Sequence, residues 1–258
     1  MPQSAEIHVL ENETALAREV GDFLAWSAEE TLRRCAQFRL VLSGGSTPRT
    51  LYRTLSSSPL ATRFEWPRIR FFFGDERCVP PTHTDSNFAM AKAALFDPLG
   101  VADHQISRMR GEDDPETAAR AYESTIRQEF AADAPMIPSL DVVLLGLGDD
   151  GHTASLFPSS PALDERSRLV VAAPSPVGIR QRITMTLPLL NQARVVLFLV
   201  TGAKKAAMVR KVLEPCNDEI PLPSARIHPT TGRLLWYLDE AAAADLSSRQ
   251  RRVPEHEE

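Results

Sequence analysis

Short apolar runs alternate along the chain with stretches whose apolar residues recur every three or four positions. The short runs predict buried strands, and they lie at residues 7–10, 38–42, 69–73, 141–145, 169–173, 182–187, 194–200 and 234–238. The helical spacing predicts helices from residue 13 to about 35, from Pro48 onward, and at 88–96, 115–130 and about 205–212. Strands that alternate with helices predict an α/β fold with a largely parallel sheet.

Length and composition limit the number of domains and the kinds of partner. A chain of 258 residues can bury a substantial core, and we expect one α/β domain over residues 1–246 followed by a polar tail over residues 247–258. The net charge of −5 and the lack of a basic stripe argue against a nucleic-acid partner. No apolar run approaches the ~20 residues of a membrane span, so we expect no membrane partner.

The amino-terminal sequence and the cysteines bear on cellular location. Residues 1–11 lack the basic start and the apolar stretch of a secretory signal. Cys35, Cys78 and Cys216 are widely spaced and odd in number, which is typical of reduced thiols. These features favour a cytoplasmic protein without a disulfide framework or a zinc site. Cys78 lies beside Arg77, but we expect its thiol to be unreactive.

Four of the predicted strands end in polar or glycine-rich sequence. These ends are residues 43–47, 74–77, 146–152 and 201–204. Because ligands bind beyond the carboxyl ends of the strands in a parallel sheet, we expect the four segments to build one site.

The segment that follows the run at 141–145 carries the residues best suited to catalysis. His152 can take a proton from water when its imidazole is neutral, and Asp150 is near enough in sequence to orient the imidazole or the water. The glycine spacing of residues 146–151 also matches a dinucleotide-binding pattern. Two aspartates would repel a pyrophosphate there, so we expect no dinucleotide; a structural turn with a solvated histidine remains open.

A second of these segments adds charge to the same edge. Arg77 can stabilise negative charge that develops on a carbonyl oxygen. Asp75 and Glu76 can take part in catalysis or pair structurally, and the sequence leaves this open. His83, with Asp85 nearby, is a weaker candidate base.

The remaining segments are suited to binding a phosphate. The loop between a strand and the helix near Pro48 consists of Gly44, Gly45, Ser46 and Thr47. Its glycines, with a helix start capped by Ser46 or Thr47, direct backbone N–H groups at an anion, although an ordinary βα turn has the same pattern. Arg182 offers a bidentate guanidinium and Lys204 a point charge, whereas Lys205 is interpreted as the solvated start of a helix. We find no cluster with metal-ligand spacing.

These segments together resemble the 6-phosphogluconolactonase family. The resemblance rests on Ser-Gly-Gly-Ser-Thr-Pro at 43–48, Gly-Asp-Glu-Arg at 74–77, His-Thr-Asp-Ser-Asn at 83–87, Gly-His-Thr-Ala-Ser-Leu-Phe-Pro at 151–158, Arg-Ile-Thr-Met-Thr-Leu-Pro at 182–188 and Gly-Ala-Lys-Lys at 202–205. It covers roughly residues 5–240, and the sequence at 151–158 is its most specific part.

The resemblance implies an enzyme that hydrolyses 6-phospho-D-glucono-1,5-lactone to 6-phospho-D-gluconate in the oxidative pentose phosphate pathway. It implies that His152 acts as the base with Asp150 beside it, that the partner is a small-molecule phosphorylated sugar lactone, and that no cofactor is required. The implied fold is the doubly wound one of sugar-phosphate isomerases, a mostly parallel sheet flanked by helices with a small additional α/β region. We expect a monomer or a small homo-oligomer.

Two other functions remain as alternatives. A glucosamine-6-phosphate deaminase shares the sugar-phosphate loop and an Asp-Gly-His turn, but its histidine is followed by a stretch containing an acidic partner, and residues 153–158 contain none. Those deaminases also typically have tyrosine where this chain has Arg77. A non-catalytic sugar-phosphate sensor of the same fold is expected to lose His152 or to gain a DNA-binding segment, and neither change is seen in the sequence.

Overall fold

A six-stranded parallel sheet lies at the centre of the fold. The structure, a computed structural model, describes residues 5–130, 137–215 and 221–247. Within these ranges the strands are β1 (Glu6–Leu10), β2 (Phe38–Leu42), β3 (Ile69–Phe73), β4 (Asp75–Arg77), β5 (Val142–Leu145), β6 (Val170–Pro174), β7 (Gln181–Met185), β8 (Val195–Val200) and β9 (Arg233–Asp239). Six of them follow the order β1-β9-β8-β5-β2-β3, and every neighbouring pair in that sheet is parallel. The mostly parallel sheet is therefore confirmed.

Helices cover both faces of this sheet. They are α1 (Glu13–Leu32), α2 (Ser46–Leu55), α3 (Asn87–Ala91), a π-helical turn (Lys92–Phe96), α4 (Asp97–Leu99), α5 (Pro115–Glu129), α6 (Leu187–Leu190) and α7 (Ala206–Leu213). Side chains of α1, α2 and α3 belong to one buried apolar cluster, and side chains of α5, α6 and α7 belong to a second. Two cores therefore enclose the sheet, one on each face.

Strand β5 shows how the sequence serves both cores. All four of its residues are buried. Val143 and Leu145 belong to the cluster with α5 and α7, whereas Val142 and Leu144 belong to the cluster with α1 and α2. Because successive side chains of a strand point to opposite faces, a strand covered on both sides needs an unbroken apolar run. The doubly wound arrangement is confirmed.

A second, smaller sheet is the additional region that the resemblance implied. β7 pairs with both β4 and β6, and both pairs are antiparallel. Helix α5 packs against β6 and β7. Gly74 joins the two sheets, because its N–H donates to the carbonyl oxygen of Leu42 and its own carbonyl oxygen accepts from the N–H of Met185. The chain therefore passes from one sheet to the other within a single residue.

Several sequence-based boundaries differ from the structure. Helix α1 ends at Leu32 rather than near Cys35, a shift of the size common at fraying helix ends. Residues 75–77, expected as the polar end of a strand, form a strand of their own by pairing with β7.

The expected capping of α2 by Ser46 or Thr47 is wrong. Gly45 is the N-cap residue of α2, and no side chain caps the helix. Gly45 has a φ of 108°, which favours glycine because L side chains rarely adopt it. The hydroxyl of Thr47 lies 2.7 Å from the hydroxyl of Thr201 instead. The sharp turn after β2 therefore depends on glycine geometry.

Several expectations lie partly or wholly outside the described residues. Of the tail at 247–258, only Ser247 is described, and its N–H donates to a carboxylate oxygen of Glu214. Cys216 also lies outside the described ranges. Inside them, no helix has the length and apolar character needed to cross a bilayer. The single domain over residues 1–246 stays a prediction.

Glu76 anchors the start of α3. Its carboxylate accepts hydrogen bonds of 2.7–3.0 Å from the backbone N–H groups of Arg77, Asn87 and Phe88 and from the hydroxyl of Ser86. The residue is 2% exposed, and burial raises the pKa of its carboxyl group against the opposing effect of these four donors. All four partners belong to the protein, so the contacts favour a structural role for Glu76.

We expect Glu76→Gln to lower the free energy of unfolding by about 2 kcal/mol, the order of the cost when a buried polar group loses its partner. Glutamine keeps the size of glutamate but replaces one acceptor oxygen with a donor, so the start of α3 loses part of its anchor. Urea unfolding, run beside Glu240→Gln at an exposed position, measures the difference. Equal stability of the two variants would contradict the anchoring role.

Candidate active site

The four polar strand ends meet at one edge of the large sheet. β8, β5, β2 and β3 are neighbours in that order, so the residues that follow them lie side by side at the carboxyl edge. A cavity of about 280 Å³ opens there, and it is lined by residues that follow all four strands and by Asn87 of α3. The structure therefore brings the four segments into one site.

His152 and Asp150 form a hydrogen-bonded pair at this cavity. Oδ1 of Asp150 lies 2.5 Å from Nδ1 of His152 and accepts from the backbone N–H of His152 at 3.1 Å. With the Nδ1 proton directed at the carboxylate, Nε2 of the neutral ring is the atom that accepts another proton. The ring packs against Phe157 at a centroid distance of 4.4 Å, and the side chain is 27% exposed. These contacts argue against a merely solvated histidine.

Two glycines of the same loop permit this position of His152. A Cβ on Gly148 would lie 2.0 Å from Nδ1 of His152, and the N–H of Gly148 donates to the carbonyl oxygen of His152 at 2.8 Å. Gly151 has a φ of 80°, and a Cβ there would lie 2.9 Å from Leu222. The glycine spacing that resembles a dinucleotide pattern therefore reflects a tight loop packed around a histidine.

The other aspartate of the loop pairs with a lysine. The carboxylate of Asp149 forms an ion pair with Nζ of Lys205, and this hydrogen bond lowers the pKa of Asp149. Lys205 lines the cavity, whereas Lys204 is exposed and does not. The structure thus places Lys205 of the 3-10 turn Ala203–Lys205 against the β5 loop, while the role expected for Lys204 stays a prediction.

The start of α2 contributes backbone donors to the cavity. Gly44 and Gly45 line it, whereas Ser46 and Thr47 do not. Since no side chain caps α2, the N–H groups of its first turn are available to water or a ligand. These groups and the positive end of the helix dipole suit an anion. Thr47 instead links the loops after β2 and β8 through Thr201.

Asp75 and Asn87 brace the loop after β2. The side-chain nitrogen of Asn87 donates to the backbone carbonyl and to the carboxylate of Asp75, at 2.9 and 3.1 Å. The other carboxylate oxygen of Asp75 accepts from the hydroxyl of Ser155 at 2.6 Å. A Cβ on Gly44 would lie 2.0 Å from Oδ1 of Asn87, so only glycine allows this close packing. Sequence reasoning gave no role to Asn87 or Ser155, because their partner Asp75 is 12 and 80 positions away.

Arg77 and Arg182 lie opposite each other on β4 and β7, but only Arg77 lines the cavity. Nη1 of Arg77 donates to the carbonyl oxygen of Asp85 at 2.6 Å. Arg182 is 7% exposed, and it donates to the carbonyl oxygens of Ile179 and Val177 in the β6–β7 loop. Burial, together with the charge of Arg77, lowers the pKa of Arg182. These contacts favour a loop-holding role for Arg182 over the expected phosphate contact.

The remaining candidate residues do not line the active-site cavity. Nδ1 of His83 accepts from the N–H of Asp85 at 3.1 Å, and His83 does not line the cavity. Burial raises the pKa of the Cys78 thiol to about 11, which agrees with the unreactive thiol expected from the sequence. Across the described residues, no group of three or more His, Cys, Asp or Glu side chains is placed to hold a metal ion.

The fold and the site define a doubly wound α/β protein with a histidine–aspartate pair and an uncapped helix start at the carboxyl edge of its sheet. The chain belongs to the family of glucosamine-6-phosphate isomerases and 6-phosphogluconolactonases, whose model matches residues 11–236. It is 40% identical over 245 residues to a 6-phosphogluconolactonase of a Nostoc species, covering 93% of this chain and 98% of the relative.

Two further relatives agree with this assignment. The chain is 40% identical over 234 residues to human 6-phosphogluconolactonase, covering 88% of this chain and 90% of that protein. The solved structure of 6-phosphogluconolactonase from Trypanosoma cruzi matches with a TM-score of 0.84 at 30% identity, covering 96% of this chain and 98% of the other. The likeness therefore extends over nearly the whole of each chain.

We expect Gly148→Ala to fold but to lose at least ~10²-fold in kcat when it is assayed with 6-phosphogluconolactone, the compound in the names of these relatives. This is the loss expected when a general base is displaced. The added Cβ would lie 2.0 Å from Nδ1 of His152, and the ring can avoid it only by turning away from Asp150. Gly74→Ala is the matched control, since its Cβ would meet its nearest neighbours at 3.7 Å. A folded Gly148→Ala protein with the parental kcat would show that this ring position is unnecessary.

Proposed function

We propose that this protein hydrolyses 6-phospho-D-glucono-1,5-lactone to 6-phospho-D-gluconate in the oxidative pentose phosphate pathway. The observation that carries the proposal is that the His152–Asp150 pair, the start of α2 and Lys205 contribute to one cavity. Hydrolysis of a phosphorylated lactone needs a base for water and a cradle for an anion, and the cavity offers both. The family and the names of its relatives support the same activity.

One imidazole can perform both proton transfers of this reaction. Nε2 of His152 takes a proton from a water molecule whose oxygen bonds to the lactone carbonyl carbon, and the carbonyl π electrons move to the carbonyl oxygen. When these electrons return, the ring C–O bond breaks and the imidazolium gives its proton to the leaving ring oxygen. One lactone and one water become the open-chain acid, so atoms and protons balance. General acid–base help of this kind is worth roughly 10²–10⁴-fold.

Two charged residues assist the histidine in this proposal. Asp150 orients the ring through Nδ1 and stabilises the imidazolium, because an opposite charge at hydrogen-bond distance favours the charged form. Arg77 lines the cavity and provides positive charge for the carbonyl oxygen as it becomes negative. A preorganised contribution of this kind is on the order of 3 kcal/mol.

The phosphate is assigned to the other side chains and backbone groups of the cavity. The N–H groups at the start of α2, next to Gly44 and Gly45, donate to its oxygens, and Lys205 supplies a cation. This assignment replaces Lys204 by Lys205, since Lys205 lines the cavity. Arg182 acts on this site indirectly, through the β6–β7 loop that it holds.

The decisive experiment is a hydrolysis assay on freshly generated 6-phosphogluconolactone, with and without the protein, because the lactone also hydrolyses spontaneously. Chelator-treated protein should retain full activity, since we propose no metal cofactor. Ammonia release from glucosamine-6-phosphate would indicate the deaminase alternative, and tight sugar-phosphate binding without turnover would indicate a sensor. A rate equal to the spontaneous one would refute the proposal.

Three further properties are proposed from the sequence. The spacing of the cysteines favours the cytoplasm. The net charge of −5 argues against nucleic acid as a partner. We propose a monomer or a small homo-oligomer, which ultracentrifugation can decide.

We expect His152→Asn to fold, to bind 6-phosphogluconate and to lose at least ~10²-fold in kcat, the lower end for a general base. Asp150→Asn should lose less, because it removes only orientation and charge. The kcat/KM of the parent should fall in acid, since a protonated imidazole cannot accept a proton. His104→Asn, at an exposed position, is the control. Near-parental kcat in folded His152→Asn would remove His152 from the mechanism.

We expect Lys205→Ala to weaken 6-phosphogluconate binding by about tenfold or more, because hydrogen bonds to charged groups are worth about 1.5–3 kcal/mol. Lys204→Ala, one residue away and exposed, should bind like the parent and serves as the matched control. Calorimetric titration of both variants at the same ionic strength measures the difference. The reverse order of affinities would restore Lys204 as the phosphate ligand.

A further inference from the structure

A second cavity adjoins the proposed active site. Its volume is about 570 Å³, and it shares Gly45, Arg77 and Asn87 with the active-site cavity. Its walls come from α2, from α3 with the following π-helical turn, and from the loop at residues 82–86. We call this cavity the α2–α3 groove. It provides a path along the protein surface to the catalytic residues.

The walls of the α2–α3 groove are positively charged. Arg49 and Arg53 lie one helical turn apart on α2, and Arg77 lies where the groove meets the active site. His83 adds an imidazole, whose Nδ1 already accepts from the backbone of Asp85. Asp85 is the one carboxylate among the described residues of the groove. The described residues of the groove therefore include three guanidinium groups and a single carboxylate.

Arg49 and Arg53 differ from many helical arginines of this protein. Arg120 and Arg127 of α5 each form an ion pair with the glutamate four positions earlier on the same helix. The side chains of Arg49 and Arg53 form no hydrogen bond or ion pair with any described residue, and both are exposed. Like charges four positions apart on a helix destabilise it by about 0.2–0.5 kcal/mol. Helix α2 retains this unfavourable repulsion, and both guanidinium groups remain accessible from the groove.

The positive charge of the α2–α3 groove can attract a phosphorylated substrate. The protein carries a net charge of −5, so its overall field repels an anion. A cleft lined by charge of one sign focuses the local field and raises association rates by 10–10³-fold. The α2–α3 groove therefore offers an attractive approach on a molecule that is otherwise repulsive to its substrate.

We propose that the α2–α3 groove is a capture subsite that holds the phosphate of an incoming sugar phosphate before the lactone reaches His152. This inference rests on the proposed function. Arg49 and Arg53 attract and hold the anion first, and Arg77, which lines both cavities, allows it to pass inward. Because the phosphate has left the groove when the reaction occurs, the two arginines affect kcat/KM and leave kcat unchanged.

The test compares the double variant Arg49→Gln/Arg53→Gln with the parent over a range of ionic strength. At about 10 mM salt we expect kcat/KM to fall roughly tenfold, within the range for electrostatic attraction, with kcat unchanged. Near 1 M salt, where the Debye length is about 3 Å, the two proteins should agree. Arg34→Gln/Arg120→Gln removes the same charge from exposed positions outside both cavities and should behave like the parent.

Three kinetic results would overturn the capture subsite. The first is a fall in kcat, which would give the arginines a catalytic or structural role. The second is a loss of kcat/KM of the same size at low and high salt. The third is an equal loss of kcat/KM in the Arg34→Gln/Arg120→Gln control, which would show that the effect depends only on the net charge of the protein.

A binding experiment separates this proposal from the proposed function. Inorganic phosphate, added at low ionic strength, should shift the Nε–H resonances of Arg49 and Arg53 in the parent, and chloride at equal ionic strength should not. If these resonances shift but the protein has no lactonase activity, the anion subsite is supported and the proposed function is refuted. Unshifted resonances in an active lactonase would refute the subsite alone.

Discussion

Parallel pairing of four neighbouring strands is the constraint on which the site depends. In a parallel sheet all strands end at the same edge, so the loops after β8, β5, β2 and β3 meet without long connections. The register of these strands is fixed by two cores rather than one, because each strand buries side chains on both faces. A slip of one residue would exchange the two sets of side chains. The rigid edge that results can hold a loop as tight as the one around His152.

The smaller sheet completes the site through the alternation of a single short strand. Asp75 and Arg77 in β4 line the cavity, whereas Glu76 between them is turned to the start of α3. This is the period of two that any strand imposes on its side chains. One strand therefore supplies polar groups to the cavity and also fixes the helix that carries Asn87. Residues that line the cavity and a residue that supports α3 thus alternate within three consecutive positions.

The sequence predicts the parts of this structure that depend on local patterns. The strands of the large sheet are found because a doubly covered strand must be apolar, as Val142–Leu145 is. The pair of Asp150 and His152 is found because the two residues are only two positions apart. β4 is hidden, since three polar residues form a strand only through pairing with β7. The choice between Lys204 and Lys205 also escapes the sequence, because it depends on how the turn after β8 is oriented relative to the β5 loop.

The ion pair between Asp149 and Lys205 has a consequence for the catalytic cycle. If Lys205 binds the phosphate of the substrate, the carboxylate of Asp149 competes for the same ammonium group. The side chain of Asp149 is 85% exposed, so it can exchange its partner for water at little cost. When the product departs, the carboxylate of Asp149 can re-form its ion pair with the ammonium group of Lys205. Under the proposed function, re-formation of this ion pair opposes retention of the phosphorylated product and so favours turnover.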